Sequence, residues 1–220
     1  MNESQEGSEK NEAPTWRCTV CGYIHKGENP PETCLVCGVD ASNFERISES
    51  KPVQAAENIP PEKLSPEEAI KKAIRSLSYG LFIITASFEG KDNGQTANTC
   101  FQITADPVQV AIGINKNNYT HELISKSGKF GVSILDQNGR ALAGNFGYRS
   151  GREVDKFDGI KAHRGTSGVM LPDEVLATLE AEVVNSMDTG THTLFLGKVT
   201  AAEVLGNGEP MTYAFFRSKK

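Results

Sequence analysis

The hydrophobic and polar positions of this chain fall into distinct regimes. Residues 1–13 are nearly all polar and read as a disordered tail. Residues 14–50 carry scattered aromatics and paired cysteines but too few apolar residues for a conventional core. Residues 51–64, with Pro52, Pro60 and Pro61 among small and charged residues, read as a linker. A helix start follows: Ser65 as N-cap, Pro66 in the first turn and Glu68 completing a capping box. Ala69, Ile70, Ala73, Ile74 and Leu77 then recur at helical spacing until Tyr79-Gly80. Beyond this the pattern turns to strands, predicted over 81–88, 95–104, 108–114, 129–135, 176–187, 193–205 and 211–216. Residues 89–94 read as a turn, 120–126 and 138–143 as short helices, and the glycine- and charge-rich stretch 144–168 as a long loop. Many strands, few helices and short turns predict an antiparallel barrel over residues 65–220, which removes sheet edges by closure. No βαβ unit and no G-x-G-x-x-G is present, which argues against a Rossmann domain.

The charge changes this picture little. Lys and Arg number 23 against 28 Asp and Glu, a net charge of -5, which gives no nucleic-acid or anionic-membrane footprint. No apolar run approaches a membrane span, and the polar, acidic start Met1-Asn2-Glu3-Ser4 predicts no secretory leader. With five cysteines, an odd number, a reducing cytoplasmic setting is expected.

Four of those cysteines carry the first chemistry. Cys18-x-x-Cys21 and Cys34-x-x-Cys37 lie twelve residues apart, and each pair is followed by a glycine, Gly22 and Gly38. Four thiolates so placed hold one metal tetrahedrally, and the glycines let backbone N–H groups turn toward the sulfurs. Zinc and iron both suit the set. Trp16, Tyr23, Ile24 and Phe44 are expected to wall the sulfurs from water, and His25 is expected at the surface. The run from Trp16 to Tyr23 and from Pro31 to Gly38 resembles a rubredoxin, more narrowly the short rubredoxin domain of rubrerythrins. That resemblance implies a single iron in an Fe(Cys)4 site, whereas zinc would leave a structural ribbon that carries no electrons.

The barrel segment carries a second resemblance. Gly94 to Thr99, Gly113 to Lys116, Asn117 to Ile124 and Gly190 to Gly197 resemble the flavin reductase-like FMN-binding split barrel, in order and spacing. Gln95, Thr96, Ala97, Asn98 and Thr99 then offer polar groups to the isoalloxazine edge, with Cys100 beside them, although Cys100 also reads as an ordinary small buried side chain. Asn115, Lys116, Asn117 and Thr120 precede a helix start and are assigned to the FMN phosphate. Ser150 and Arg152, in the loop 146–152 that leads to Asp155-Lys156-Phe157, form a second phosphate candidate, or a grip on NAD(P)H or on the small domain. His192 matches the family histidine beside the flavin, and the resemblance gives it the task of orienting nicotinamide. By residue type alone, Asn98, Thr99 and His192 equally suit structural roles.

The fusion of the two modules resembles the high-molecular-weight rubredoxins. This implies electron flow from NAD(P)H through FMN to the Fe(Cys)4 centre, and on to a terminal reductase such as a flavodiiron protein. It also implies a homodimer. Two other readings are an FMN and iron carrier reduced by another protein, and an FMN reductase with a zinc ribbon for docking.

Overall fold

A computed structural model describes residues 14–47 and 64–218. The expected tail and, but for residue 64, the expected linker lie outside the described residues. The chain divides into two compact units, Met1–Glu68 and Ala69–Lys220.

In the first unit, strand β1 (Thr15–Cys18) lies between β2 (Ile24–Lys26) and β3 (Phe44–Ile47), all antiparallel. A single 3-10 turn, Ala41–Asn43, is capped by Asp40, whose carboxylate accepts from the Ser42 N–H at 2.9 Å. The core comprises Cys18, Cys34 and Phe44, with Trp16, Tyr23 and Val39 packed around them. Ile24 does not join this wall, contrary to expectation: it is exposed on β2, and Val39 stands in the core instead. So few buried side chains cannot offset the entropy of ordering the segment, so cross-linking by a metal is the missing stabilisation.

Helix α1 (Pro66–Arg75) spans the division and leads into the second unit. Its capping box forms as expected: Ser65 N–H donates to Glu68 Oε2 at 3.0 Å, and Glu68 N–H to Ser65 Oγ at 3.3 Å. Strand β4 (Phe82–Phe88) turns at Glu89-Gly90 into β5 (Lys91–Ala97), and both turn residues have positive φ, as a tight two-residue hairpin requires. The expected turn over 89–94 is therefore two residues long. The chain continues through β6 (Cys100–Ala105), β7 (Val108–Asn115), α2 (Tyr119–Ser127), β8 (Lys129–Ile134) and α3 (Arg140–Gly147). A small hairpin pairs β9 (Ala162–Arg164), inside the stretch 144–168 read as loop, with β10 (Met170–Pro172), just beyond it. The long hairpin β11 (Ala177–Asp188) and β12 (His192–Val204) follows. The last element is a correction: a strand was expected over 211–216, but helix α4 (Tyr213–Ser218) forms there.

Seven strands form one antiparallel sheet in the order β5-β4-β8-β11-β12-β7-β6. Its two edge strands, β5 and β6, are consecutive and joined only by Asn98-Thr99. That short link forces the sheet to curl until its edges meet, which makes it a barrel split along the β5/β6 seam. The single strand expected over 95–104 is these two strands with a corner between them. Strand β4 shows how the barrel is filled: Ile84 and Ala86 point to the interior with Ile112, Ile114, Phe130 and Val132. Ile83, one residue off, faces a second core with Leu81, Phe146 and Met211, which α3 and the chain end cover.

Candidate functional site

The metal knuckles are two copies of one local structure. Gly22 N–H donates to Cys18 O at 2.9 Å and Cys18 N–H to Tyr23 O at 2.9 Å. In the second copy Gly38 N–H donates to Cys34 O at 3.0 Å and Cys34 N–H to Val39 O at 2.7 Å. Gly22 and Gly38 sit at φ 77° and 76°, the left-handed region that glycine occupies without strain. Past each glycine the next N–H, of Tyr23 or Val39, turns back to the sulfur of Cys21 or Cys37. Cys18 and Cys34 are buried, while Cys21 and Cys37 are exposed.

The four sulfurs lie within 4.8 Å of one another. Cys18 Sγ is 3.7 Å from Cys37 Sγ, and Cys21 Sγ is 3.5 Å from Cys34 Sγ. An ion with bonds of about 2.3 Å sets tetrahedral sulfurs about 3.8 Å apart, so the quartet fits one. Without a cation the quartet does not ionise as a whole. At Cys34 burial opposes ionisation, yet N–H groups of Cys37 and Val36 and the neighbouring thiols bring its pKa down to about 6. At Cys21 the Tyr23 N–H favours the thiolate, but desolvation and the other three thiols push it up to about 12. A divalent or trivalent ion removes that conflict by replacing the shared protons.

The barrel holds a two-part cavity. The first part, about 510 Å³, is floored by Gln95, Thr96, Ala97, Asn98 and Thr99, the residues that end β5 and turn the corner. Its opposite wall is one face of the β7/β12 pair: Gly113 is in register with Leu194, and Asn115 with His192. His192 Nδ1 lies 2.8 Å from Thr191 Oγ1, which leaves Nε2 for a ligand. The second part, about 280 Å³, shares Gln95, Thr96 and Asn118 with the first. It extends past the start of α2 to the residues following α3. There Asn118 Nδ2 donates to Gln95 Oε1 at 3.0 Å, and Thr96 Oγ1 to Ala143 O at 2.6 Å. Asn118 is the N-cap of α2 but makes no side-chain cap; the His121 N–H donates to Asn118 O at 3.1 Å, which leaves the Tyr119 and Thr120 N–H groups at the helix start for a ligand.

Most residues singled out from the sequence meet at this cavity. Gln95, Thr96, Ala97, Asn98, Thr99, Asn115 and His192 line the first part, and Asn117, Thr120 and Ser150 the second. Three stand elsewhere. Lys116 Nζ is 2.6 Å from Asp188 Oδ1, and this pairing holds the Asp188 carboxyl below its ordinary range. Cys100 packs against the barrel core, where burial pushes its thiol up to about 12. Arg152 pairs with Glu122 at 2.9 Å and lies 4.9 Å over the Tyr119 ring, in a neighbouring cleft.

Asn93 was missed, and Lys156 was named without a role. Asn93 is buried, with Nδ2 donating to Thr120 Oγ1 at 2.9 Å. Lys156 is only 5% exposed, and its ammonium donates to the carbonyls of Gly94 and Phe146, each at 2.9 Å. The sequence signal for Lys156 was the Asp155-Lys156-Phe157 run, which resembles a family stretch near the flavin but by itself assigns the lysine no role.

A family model for the flavin reductase like domain matches residues 74–220, more than half of the chain. The chain belongs to that family. The flavin reductase-like domain is preceded by a match to the rubrerythrin, rubredoxin-like domain over residues 16–45, the segment of the four cysteines. A high molecular weight rubredoxin of Moorella thermoacetica is 49% identical over 151 residues, which cover 68% of this chain and 66% of that protein. A ferric-chelate reductase (NAD(P)H) of Archaeoglobus fulgidus is 44% identical over 151 residues, covering 68% of this chain and 89% of that one. Among solved structures, the NADH:FAD oxidoreductase of Streptomyces globisporus C-1027 superposes with a TM-score of 0.65 at 26% identity, over 72% of this chain and 96% of that one. The flavin reductase-like fold is thus present.

Proposed function

We propose that the protein is an oxidoreductase that takes electrons from NAD(P)H at an FMN held in the barrel and passes them to an iron held by Cys18, Cys21, Cys34 and Cys37. A partner protein, a terminal reductase such as a flavodiiron protein, then receives them. The observation that carries this reading is the presence on one chain of a four-sulfur site and a two-part cavity lined largely by polar groups. A bound flavin accepts a hydride and releases electrons singly, and a thiolate-held iron takes one electron at a time.

The residues divide the work. Gln95, Asn98 and Thr99 would hold the polar edge of the isoalloxazine, and Gly113 and Ala97 leave room for its face. His192 would orient the nicotinamide carboxamide through Nε2. Thr120, Asn117, Ser150 and Lys156 would hold the phosphate. FMN is favoured over FAD because the cleft beyond Tyr119 and Gly151 sets four acids, Asp92, Glu122, Glu153 and Asp155, against two bases, Lys91 and Arg152, a net negative wall for a second phosphate. At the quartet, N–H groups aimed at sulfur favour the reduced, more negative centre.

A homodimer belongs to this reading. Ile70 and Ile74 on α1, Leu77 just past its end, and Phe101 and Ile103 on β6 leave apolar side chains exposed that a second copy would cover. A cytoplasmic setting also belongs to it: the described cysteines are all free thiols, and no helix among the described residues is long and apolar enough to cross a membrane.

The test is anaerobic purification followed by metal analysis, identification of the released flavin by chromatography, and stopped-flow mixing with NADH and NADPH. FMN and one iron per chain are expected, with flavin bleaching in seconds or less, iron reduction following, and a solution mass of twice 23.8 kDa. Zinc in place of iron would end the relay. No bleaching by either nucleotide would instead leave a carrier reduced by another protein.

A further inference from the structure

The smaller part of the cavity has an unusual charge pattern. Lys156 and Arg149 line it, and no carboxylate does. Arg149 donates to the neutral Asn145 Oδ1 at 2.6 Å. Lys156 donates to two neutral carbonyls and keeps one N–H. Asn93 Oδ1, at the same wall, is buried without a donor, so the pocket's polar groups are only part-satisfied. The surroundings of Lys156 are otherwise uncharged. Strand β5 presents Asn93, Gly94, Gln95 and Thr96, and α2 presents Asn118, Thr120 and the Tyr119 phenol. The segment after α3 presents Tyr148 and Ser150 besides Arg149. A buried cation, Lys156, and an exposed one, Arg149, thus line this part of the cavity without an anion among its lining residues. Burial, aided by the Arg149 charge, lowers the Lys156 ammonium to about 8.

We propose that Lys156 is the counter-ion of the bound nucleotide's phosphate, and that phosphate binding draws a proton from solvent onto its amine. This rests on the flavin mononucleotide reading and adds a proton linkage to it. At pH 9 about nine-tenths of the free protein carries Lys156 as neutral amine, while a phosphate monoester, with its second pKa near 6, is already a dianion. The dianion restores the ammonium, because an opposite charge in contact favours the charged form. FMN therefore binds with uptake of about one proton at pH 9; at pH 6.5 it takes up almost none and releases about a quarter of one, because about that share of the phosphate is still protonated. Its affinity falls by up to tenfold per pH unit above 8. Riboflavin, which lacks the phosphate, shows neither effect.

The experiment is titration calorimetry of the full chain, stripped of flavin, in buffers of different ionisation enthalpy at pH 6.5 and 9. FMN and riboflavin are the ligands, and wild type is compared with Lys156→Gln and Lys156→Arg. Wild type is expected to take up about one proton with FMN at pH 9. Lys156→Gln is expected to take up none and to bind FMN about 100-fold more weakly at pH 6.5, with riboflavin unchanged. Lys156→Arg keeps its charge throughout, so it is expected to bind FMN without uptake. If arginine does not fit the pocket, the glutamine variant alone decides. Tight FMN binding without proton uptake at pH 9, the same uptake with riboflavin, or uptake persisting in Lys156→Gln would overturn the proposal. Failure of both flavins to bind at either pH would instead overturn the flavin reading on which it stands.

Discussion

Serine in place of Cys34 is expected to empty the metal site and unfold residues 14–47, while the barrel keeps its flavin chemistry. Cys34 is almost fully buried, and its sulfur accepts from the Cys37 and Val36 N–H groups as well as lying 3.5 Å from Cys21. Serine offers a hard, weakly acidic oxygen where the site is built for a soft thiolate. The unit has a core of three buried side chains. A structural metal in so small a domain contributes on the order of 10 kcal/mol to folding, far more than such a core supplies. Iron content should therefore fall to background, and slow amide exchange in this unit should vanish. Flavin bleaching by NAD(P)H should stay within about twofold of wild type, while reduction of an added one-electron protein acceptor should drop about 100-fold, or 2.7 kcal/mol. Cys37→Ser, at an exposed position, should be milder because water replaces part of what is lost. A Cys34→Ser chain that retained stoichiometric iron and native exchange protection would show that the quartet is not the folding element.

What could be read from the sequence was what is local. The knuckles were legible because the spacing of the cysteines and their glycines sets each hydrogen bond within six residues. The α1 capping box was legible for the same reason. The corner at Asn98-Thr99 was not, because no Gly or Pro marks it and only closure of the sheet forces the bend. The last segment, Met-Thr-Tyr-Ala-Phe-Phe, has strand-forming residues but folds as α4. There Thr212 Oγ1 accepts from the Phe215 N–H at 3.1 Å, and Tyr213 and Phe216 pack on the second core. Tertiary burial outweighs propensity at such a chain end. The site residues that misled are those whose partners lie far along the chain. Lys116 is held by Asp188, 72 residues away, and Lys156 is buried by Gly94, 62 residues away. No spacing rule predicts either.

Leucine in place of Gly113 is expected to abolish flavin binding without unfolding the barrel. Gly113 lies on β7 between Ile112 and Ile114, both fully buried, while its own position opens onto the larger part of the cavity. A Cβ there would lie 3.0 Å from Thr99 Cγ2, close enough to press on the corner, and the rest of the leucine has only the cavity to enter. The strand keeps its pairing with β12 and β6, since neither ladder depends on a side chain at this residue. Thermal unfolding should therefore shift little beyond the loss of ligand stabilisation. FMN affinity should fall at least about 100-fold, or 2.7 kcal/mol, and riboflavin affinity should fall equally, because the obstruction lies where the ring would sit rather than at the phosphate. That equality separates the two parts of the cavity: Lys156→Gln should discriminate between FMN and riboflavin, whereas Gly113→Leu should not. If Gly113→Leu bound either flavin with wild-type affinity, the ring could not lie against the β7/β12 face, and the roles given to His192 and Asn98 would fall with it.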